Sequence, residues 1–199
     1  MTHATGLAQR KRQFVRDELT RETLRLLAVQ GYEATTVEQV TDAVGVSRRT
    51  FFRYFQSKED VIVQVVTAKG TELATALEAR PRDETAAVAL RHTLHDLAAQ
   101  VSVDTERQLH LLQLILRTPA LHARFLERQA RWKDVLTSTL AEREGMDAAD
   151  LRPALMVGVA LTALQTALNR WAESEATENL TDLLDRTFTL VEPVLRTTP

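Results

Sequence analysis

Cysteine is absent from the 199-residue chain, which rules out disulfides, a thiolate nucleophile and a cysteine-ligated zinc site. Glycine and proline are scarce, six and five residues, and aromatic residues make up 5%. With so little turn and strand vocabulary, and with Ala, Leu, Arg and Glu abundant, the chain is expected to be all-α. No glycine-rich phosphate loop and no E-x-x-H metal motif occurs, so the expectation is a protein that is not an enzyme and needs neither cofactor nor metal. The first residues are polar and charged, unlike a secretory leader. The longest weakly polar run, Pro153 to Leu168, is interrupted by Thr162, Gln165 and Thr166 and is short for a bilayer crossing. A cytoplasmic protein with no membrane partner is therefore expected. A large excess of one charge sign is missing too, the net charge being −2. Its distribution is uneven. Residues 1–58 hold ten Lys/Arg against six Asp/Glu, a net +4, and residues 59–199 hold 15 against 21, a net −6. A basic head on an acidic body is the asymmetry expected when one end meets a polyanion.

Apolar residues recur at helical spacing throughout, and about nine helices are expected. The first is read from Gln13 to Gln30, with Phe14, Leu19, Thr23, Leu24, Leu26 and Leu27 as its buried side and Gly31 as its left-handed stop. The dozen residues before it and the last three read as mobile ends. Thr35 and Thr36, with Glu38 and Gln39 three residues on, offer a capping box to a short helix reaching Ala43. Ser47 caps a third helix from Arg48 to Tyr54, and Ser57 with Asp60 starts a long fourth helix ending near Arg80. Five more are placed at about 83–101, 105–117, 119–144, 150–173 and 178–196, punctuated by Asp104, Thr118-Pro119, Gly145 and Asp147 or Asp150. The apolar residues of the three leading helices make a core that needs support from the fourth.

The stretch TVEQVTDAVGVSRRTFFRYF, residues 36–55, is two short helices around Gly45, with the small Ala43 where they approach. That is the pattern of a helix-turn-helix, whose second helix enters the DNA major groove. The second helix opens Ser47-Arg48-Arg49-Thr50. Arginine can address guanine O6 and N7 with two hydrogen bonds, and Ser or Thr can take a base edge or a phosphate. The alternative is that Arg48, Arg49 and Arg53 form only a solvated surface.

The longer segment GYEATTVEQVTDAVGVSRRTFFRYFQSKEDVI resembles the DNA-binding domain of the TetR family of one-component transcriptional regulators. The resemblance implies a three-helix helix-turn-helix domain over residues 13–73 and a helical effector-binding and dimerisation domain over 74–199. It implies phosphate contacts from Thr35 or Thr36, a recognition helix bearing Ser47, Arg48, Arg49, Thr50 and Arg53, a backbone contact from Tyr54 and a phosphate contact from Lys58. Position 52 departs from the family, which commonly has a tyrosine there: Phe52 cannot donate a hydrogen bond to phosphate. Arg10, Lys11 and Arg12 read either as a flexible arm reaching a minor groove or as a plain basic tail.

In the resembled family the C-terminal helices bind a small effector and form the homodimer. Leu161, Leu164, Leu168 and Trp171, with Leu184 and Phe188 on the next helix, are the dimer candidates, an intrachain core being the alternative. His110, Gln113, Leu114, Arg117, Phe125, Arg128 and Trp132 are candidates for an effector pocket, although such residues more often fill core or face water. The segments LRTPALHARFLERQARW and TALNRWAE resemble the C-terminal domain of a TetR subgroup that includes mycofactocin-associated, acyl-CoA-responsive repressors, which implies an acyl-CoA or another amphipathic ligand. The expected function is a repressor, released from a palindromic double-stranded operator by that effector. The competing readings are an activator and a partner-binding module that has lost DNA binding. His92, His95 and Asp96 share one helix face and can begin a metal site, but a solvated polar face explains them as well.

Overall fold

A computed structural model describes residues 2–147 and 149–195; the last three residues, expected as a mobile end, lie outside that range. Among the described residues there are nine α-helices, one 3-10 turn at Ser102–Asp104 and no strand. The helices are α1 (Thr2–Gln30), α2 (Val37–Val44), α3 (Arg48–Tyr54), α4 (Lys58–Glu78), α5 (Ala86–Val101), α6 (Thr105–Arg117), α7 (Pro119–Glu144), α8 (Leu151–Glu173) and α9 (Leu180–Leu195). The expected start of α1 at Gln13 needs correction, since the helix runs from Thr2. The segment before Gln13 is rich in Ala, Leu, Gln, Arg and Lys, and only Gly6 opposes helix within it.

The chain divides into two compact units, residues 1–66 and 67–199, with the division inside α4. In the first unit Leu19, Val40, Phe51, Phe55 and Val61 form the core, with Val15, Leu26 and Tyr54 packed against it. Phe14, expected inside, is 65% exposed. It sits five residues before Leu19 and so points well away from the buried stripe, which runs instead through Val15, Leu19 and Thr23. Thr23 satisfies its buried hydroxyl by donating to the Leu19 carbonyl at 2.7 Å.

In the second unit α8 packs against α5, α7 and α9. At 23 residues α8 is long and apolar enough to cross a membrane by length and composition, which the shorter run in the sequence does not suggest. Part of its apolar surface is buried within the unit, at Val157, Ala160, Leu164, Ala167 and Trp171, while Leu151 and Leu155 are exposed. Five of the six dimer candidates, Leu161, Leu164, Trp171, Leu184 and Phe188, are buried within a single chain, the last four at most 3% exposed. Leu168 is half-buried, and Leu161 also lines an open groove between α7 and α8. Helices buried on several faces hide their largest residues in their own chain, and periodicity alone does not say which face is left for a second copy.

The guanidinium of Arg143, near the end of α7, is buried and donates to the carbonyls of Arg80 (2.8 Å), Glu84 (3.0 Å) and Pro81. Arg82 returns a hydrogen bond to the Arg143 carbonyl at 3.0 Å. This reciprocal latch satisfies carbonyls just beyond the end of α4 and fixes the α4–α5 loop to α7. Earlier in α4, Gly70 admits the indole of Trp132: a Cβ at position 70 would lie 2.1 Å from Cδ1 and 2.3 Å from Nε1. Gly70→Ala is therefore expected to displace the indole and to cost about 1–3 kcal/mol of stability. Denaturant unfolding and tryptophan emission check this, and unchanged values for both would mean that the two groups do not meet so closely.

Candidate nucleic-acid interface

The local chemistry of residues 31–58 presents one face of α3 to solvent. Thr36 and Gln39 cap α2 reciprocally, the Gln39 N–H donating to the Thr36 hydroxyl at 3.2 Å and the Thr36 N–H to the Gln39 side chain at 2.9 Å. Gly45 ends α2 with φ +72, a left-handed conformation that a Cβ would strain, and Val46 N–H donates to the Thr41 carbonyl at 2.9 Å. The chain thus turns sharply into Ser47, whose hydroxyl caps α3 by accepting from Thr50 N–H at 3.2 Å. Phe51 and Phe55, at 0% and 1% exposure, anchor α3 in the core. Arg48, Arg49, Phe52 and Arg53 face outward, with Thr50 half-buried beside them.

Arg48 pairs with Glu38 of α2 at 2.8 Å, and both side chains are more than half exposed. Such a pair contributes at most about 1 kcal/mol and exchanges readily for a phosphate or a base. Arg49 forms no ion pair among the described residues. Arg53 donates to the Tyr54 hydroxyl at 3.2 Å and lies 5.0 Å from that ring's centroid. Phe52 meets Phe51 edge-on, with the Arg48 guanidinium 6.0 Å from the Phe52 centroid.

Two candidate phosphate ligands turn inward instead. Thr35 is fully buried and donates its hydroxyl to the Gly31 carbonyl at 2.7 Å. Lys58, at the start of α4, donates to the carbonyls of Tyr32 (2.6 Å) and Thr35 (2.9 Å), and its ammonium lies 4.0 Å from the centroid of the Tyr32 ring. The Tyr32 hydroxyl donates to the Glu59 carboxylate. Burial, then the Glu59 carboxylate, pushes the Tyr32 phenol above its ordinary range. Burial also opposes ionisation of Glu59, but hydrogen bonds from Ser57 and Tyr32 outweigh it and hold the carboxyl below its usual value. Tyr32 and Glu59 carry no signal of this role in the sequence, because no short spacing connects Tyr32 to Lys58.

In the second unit the structure brings together only part of the candidate pocket. Phe125 and Trp132 are buried edge to face, 6.4 Å between centroids, and the Trp132 N–H finds no acceptor among the described residues. Gln113 donates to the Ala172 carbonyl at 3.2 Å, Leu114 and Arg128 are half-buried, and His110 and Arg117 face solvent. His92 is engaged by Glu84 and Arg80 at 3.0 and 2.9 Å. Among the described residues no group of three His, Asp or Glu is placed to hold a metal ion.

Residues 19–65 match the model of the bacterial regulatory proteins of the tetR family, and residues 84–196 match the MftR C-terminal domain. The regulator TcmR of Streptomyces glaucescens is 38% identical over 173 residues, covering 83% of this chain and 76% of TcmR. The chain belongs to the TetR family. It is a DNA-binding transcriptional regulator. The repressor AcnR of Corynebacterium diphtheriae is 25% identical over 182 residues, covering 91% of each chain. The fold is that of FadR from Thermus thermophilus, solved with lauroyl-CoA: the TM-score is 0.60 at 20% identity, over 92% of this chain and 96% of FadR.

Within this TetR-family helix-turn-helix, then, Lys58 ties the α1–α2 loop to α4 where the resemblance implied a phosphate ligand, and Phe52 lacks the hydroxyl common at its position. Lys58→Met leaves two carbonyls without their charged donor, at a cost of about 1.5–3 kcal/mol. Hydrogen exchange is expected to accelerate over residues 32–46 while α5 to α9 keep their protection. Unchanged protection would return Lys58 to the role of a plain phosphate contact.

Proposed function

We propose that a homodimer of this chain represses transcription from a palindromic operator and is released by an amphipathic effector, such as an acyl-CoA, bound in the C-terminal unit. The observation that carries the DNA-reading part is the outward face of α3, where three arginines and an exposed phenylalanine stand on a helix capped at its start and anchored by Phe51 and Phe55. Arg48 and Arg49 address base edges, and Phe52 offers an apolar surface to a thymine methyl. Ser47, Thr36 and Tyr54 supply backbone contacts, and Arg53 adds positive charge at the far end of the helix.

Dimerisation follows from the length of α3. Seven residues reach too few bases to specify a site, whereas two such helices one turn of DNA apart read a palindrome. The surface that suits a second copy is an open groove of about 850 Å³ between α7 and α8, reached by Leu126, Leu155, Gly158, Leu161 and Thr162. Leu155 and Leu126 are 60% and 49% exposed there, and Gly158 permits close helix approach.

The effector reading rests on the MftR-type C-terminal domain and on the acyl-CoA in the FadR complex. Phe125 and Trp132 supply apolar surface, and the Trp132 N–H supplies a donor. A coupling of about 1.4–3 kcal/mol between effector and operator lowers DNA affinity about 10–150-fold. A DNA-binding regulator of this kind works in the cytoplasm.

Selection of duplexes from a random library, followed by anisotropy at about 0.15 M salt, tests the reading. A specific regulator should prefer the selected duplex by about 10³-fold or more over a scrambled one. Arg49→Ala should relax preference at one base pair per half-site by about 1–3 kcal/mol. Unaltered affinity and preference in the variant would remove Arg49 from the recognition surface, and equal weak binding to both duplexes would contradict the regulator as proposed.

A further inference from the structure

A cleft of about 550 Å³ in the N-terminal unit is lined by Lys11, Arg12 and Val15 of α1 and by Arg53 and Tyr54 at the end of α3. Three of its five lining residues are cations and none is an acid. Lys11 and Arg12 are exposed and form no ion pair among the described residues. The arrangement is held from behind. Arg16 donates to the Gln64 side-chain oxygen at 2.6 Å, and the Gln64 amide donates to the Tyr54 carbonyl at 3.3 Å and to Asp60 at 3.1 Å. The Tyr54 carbonyl, at the negative end of α3, is thereby satisfied rather than left facing an incoming anion. The Asp60 carboxylate is likewise committed, to Gln64 and to the Gln56 N–H at 3.0 Å.

The helical state of this segment decides what kind of contact it can make. Arg10, Lys11 and Arg12 lie within α1, which begins at Thr2, and are not an extended arm. A helix with its side chains is about 10–12 Å across, and the minor groove of B-DNA is about 6 Å wide. The helix cannot enter that groove as a flexible arm does. Its cations can reach the sugar-phosphate edge, where they share a cleft with Arg53 of the recognition helix.

We propose that this cleft binds a phosphodiester of the duplex backbone outside the base pairs read by α3, with Lys11 and Arg12 as its ligands from α1. The proposal rests on the DNA-binding reading above and extends the footprint of each head beyond the helix-turn-helix. A phosphate there is held from two elements at once, so α1 helps to set the angle at which α3 meets the groove.

The test uses the full chain, a duplex selected in vitro and the double variant Lys11→Gln/Arg12→Gln, with Lys11→Arg/Arg12→Lys as the charge-preserving control. Each cation withdrawn from a phosphate lowers the steepness of log affinity against log salt by about 0.9. The glutamine variant is expected to drop by about one to two such increments, to bind selected and scrambled duplexes more weakly by similar factors, and to melt as the wild type does. The swapped variant should keep the wild-type slope. A neutral methylphosphonate in the flank should weaken the wild type but not the glutamine variant. Equal slopes for the wild type and the glutamine variant, with the wild type still preferring its selected duplex, would overturn the cleft proposal alone. So would a variant deficit that disappears when flanking A·T pairs are changed to G·C, since that is minor-groove reading. A wild type that does not distinguish selected from scrambled duplex would overturn the DNA-binding reading on which the proposal stands.

Discussion

The recognition surface depends on one inward-facing interaction, the Lys58 ammonium against the carbonyls of Tyr32 and Thr35. The N-terminal unit has a small core, clustered on Leu19, Val40, Phe51, Phe55 and Val61, and two of its helices are eight and seven residues long. A core of that size is marginal by itself. The loop from Gly31 to Thr36, which precedes α2, is held by polar ties: Thr35 hydroxyl to Gly31, Gln30 to Ala34 at 3.1 Å, and Lys58 from α4. Because α4 supplies that lysine and also Val61 of the core, the position of α2 and α3 follows α4. A regulator that has to transmit a change along α4 thus has a physical handle on its recognition helix.

The same unit keeps its two chemistries apart. On α3 the aromatic residues at 51 and 55 face inward and the arginines at 48, 49 and 53 face outward, so burial holds the helix while charge stays available to a polyanion. Glu38 is the acid that touches this face through a described ion pair, and at half exposure it competes weakly with DNA. In the second unit Arg143 is buried and consumed in carbonyl contacts at the α4–α5 loop.

What is legible in the sequence is what is local. The Thr36–Gln39 box, the Gly45 turn, the Ser47 cap and the Gly145 stop are each encoded within a few residues, and all four stand in the structure. The family resemblance and the all-helical architecture are carried by the same signals. What the sequence hides is non-local or lacks a marker. Lys58 meets Tyr32 across 26 residues, and Arg143 reaches the 80–84 loop across about 60, which no periodicity reveals. The turn after α8 puts Glu175 and Ala176 at φ +51 and +59 with no glycine to announce it. Leu164, Trp171, Leu184 and Phe188 suggest a dimer contact because α8 and α9 look apolar all round, yet the chain buries them itself. Likewise, helix propensity before Gln13 outweighs the single Gly6 and makes helix of what reads as an arm.

In the proposed dimer, two recognition helices act together on one duplex. The most direct test is sedimentation equilibrium of the full chain on a selected palindrome and on the same duplex with one half-site scrambled. Two chains are predicted on the intact palindrome, bound cooperatively, with a large loss of affinity when one half-site is removed. One chain per duplex, with equal affinity for the intact and half-scrambled sites, would contradict it.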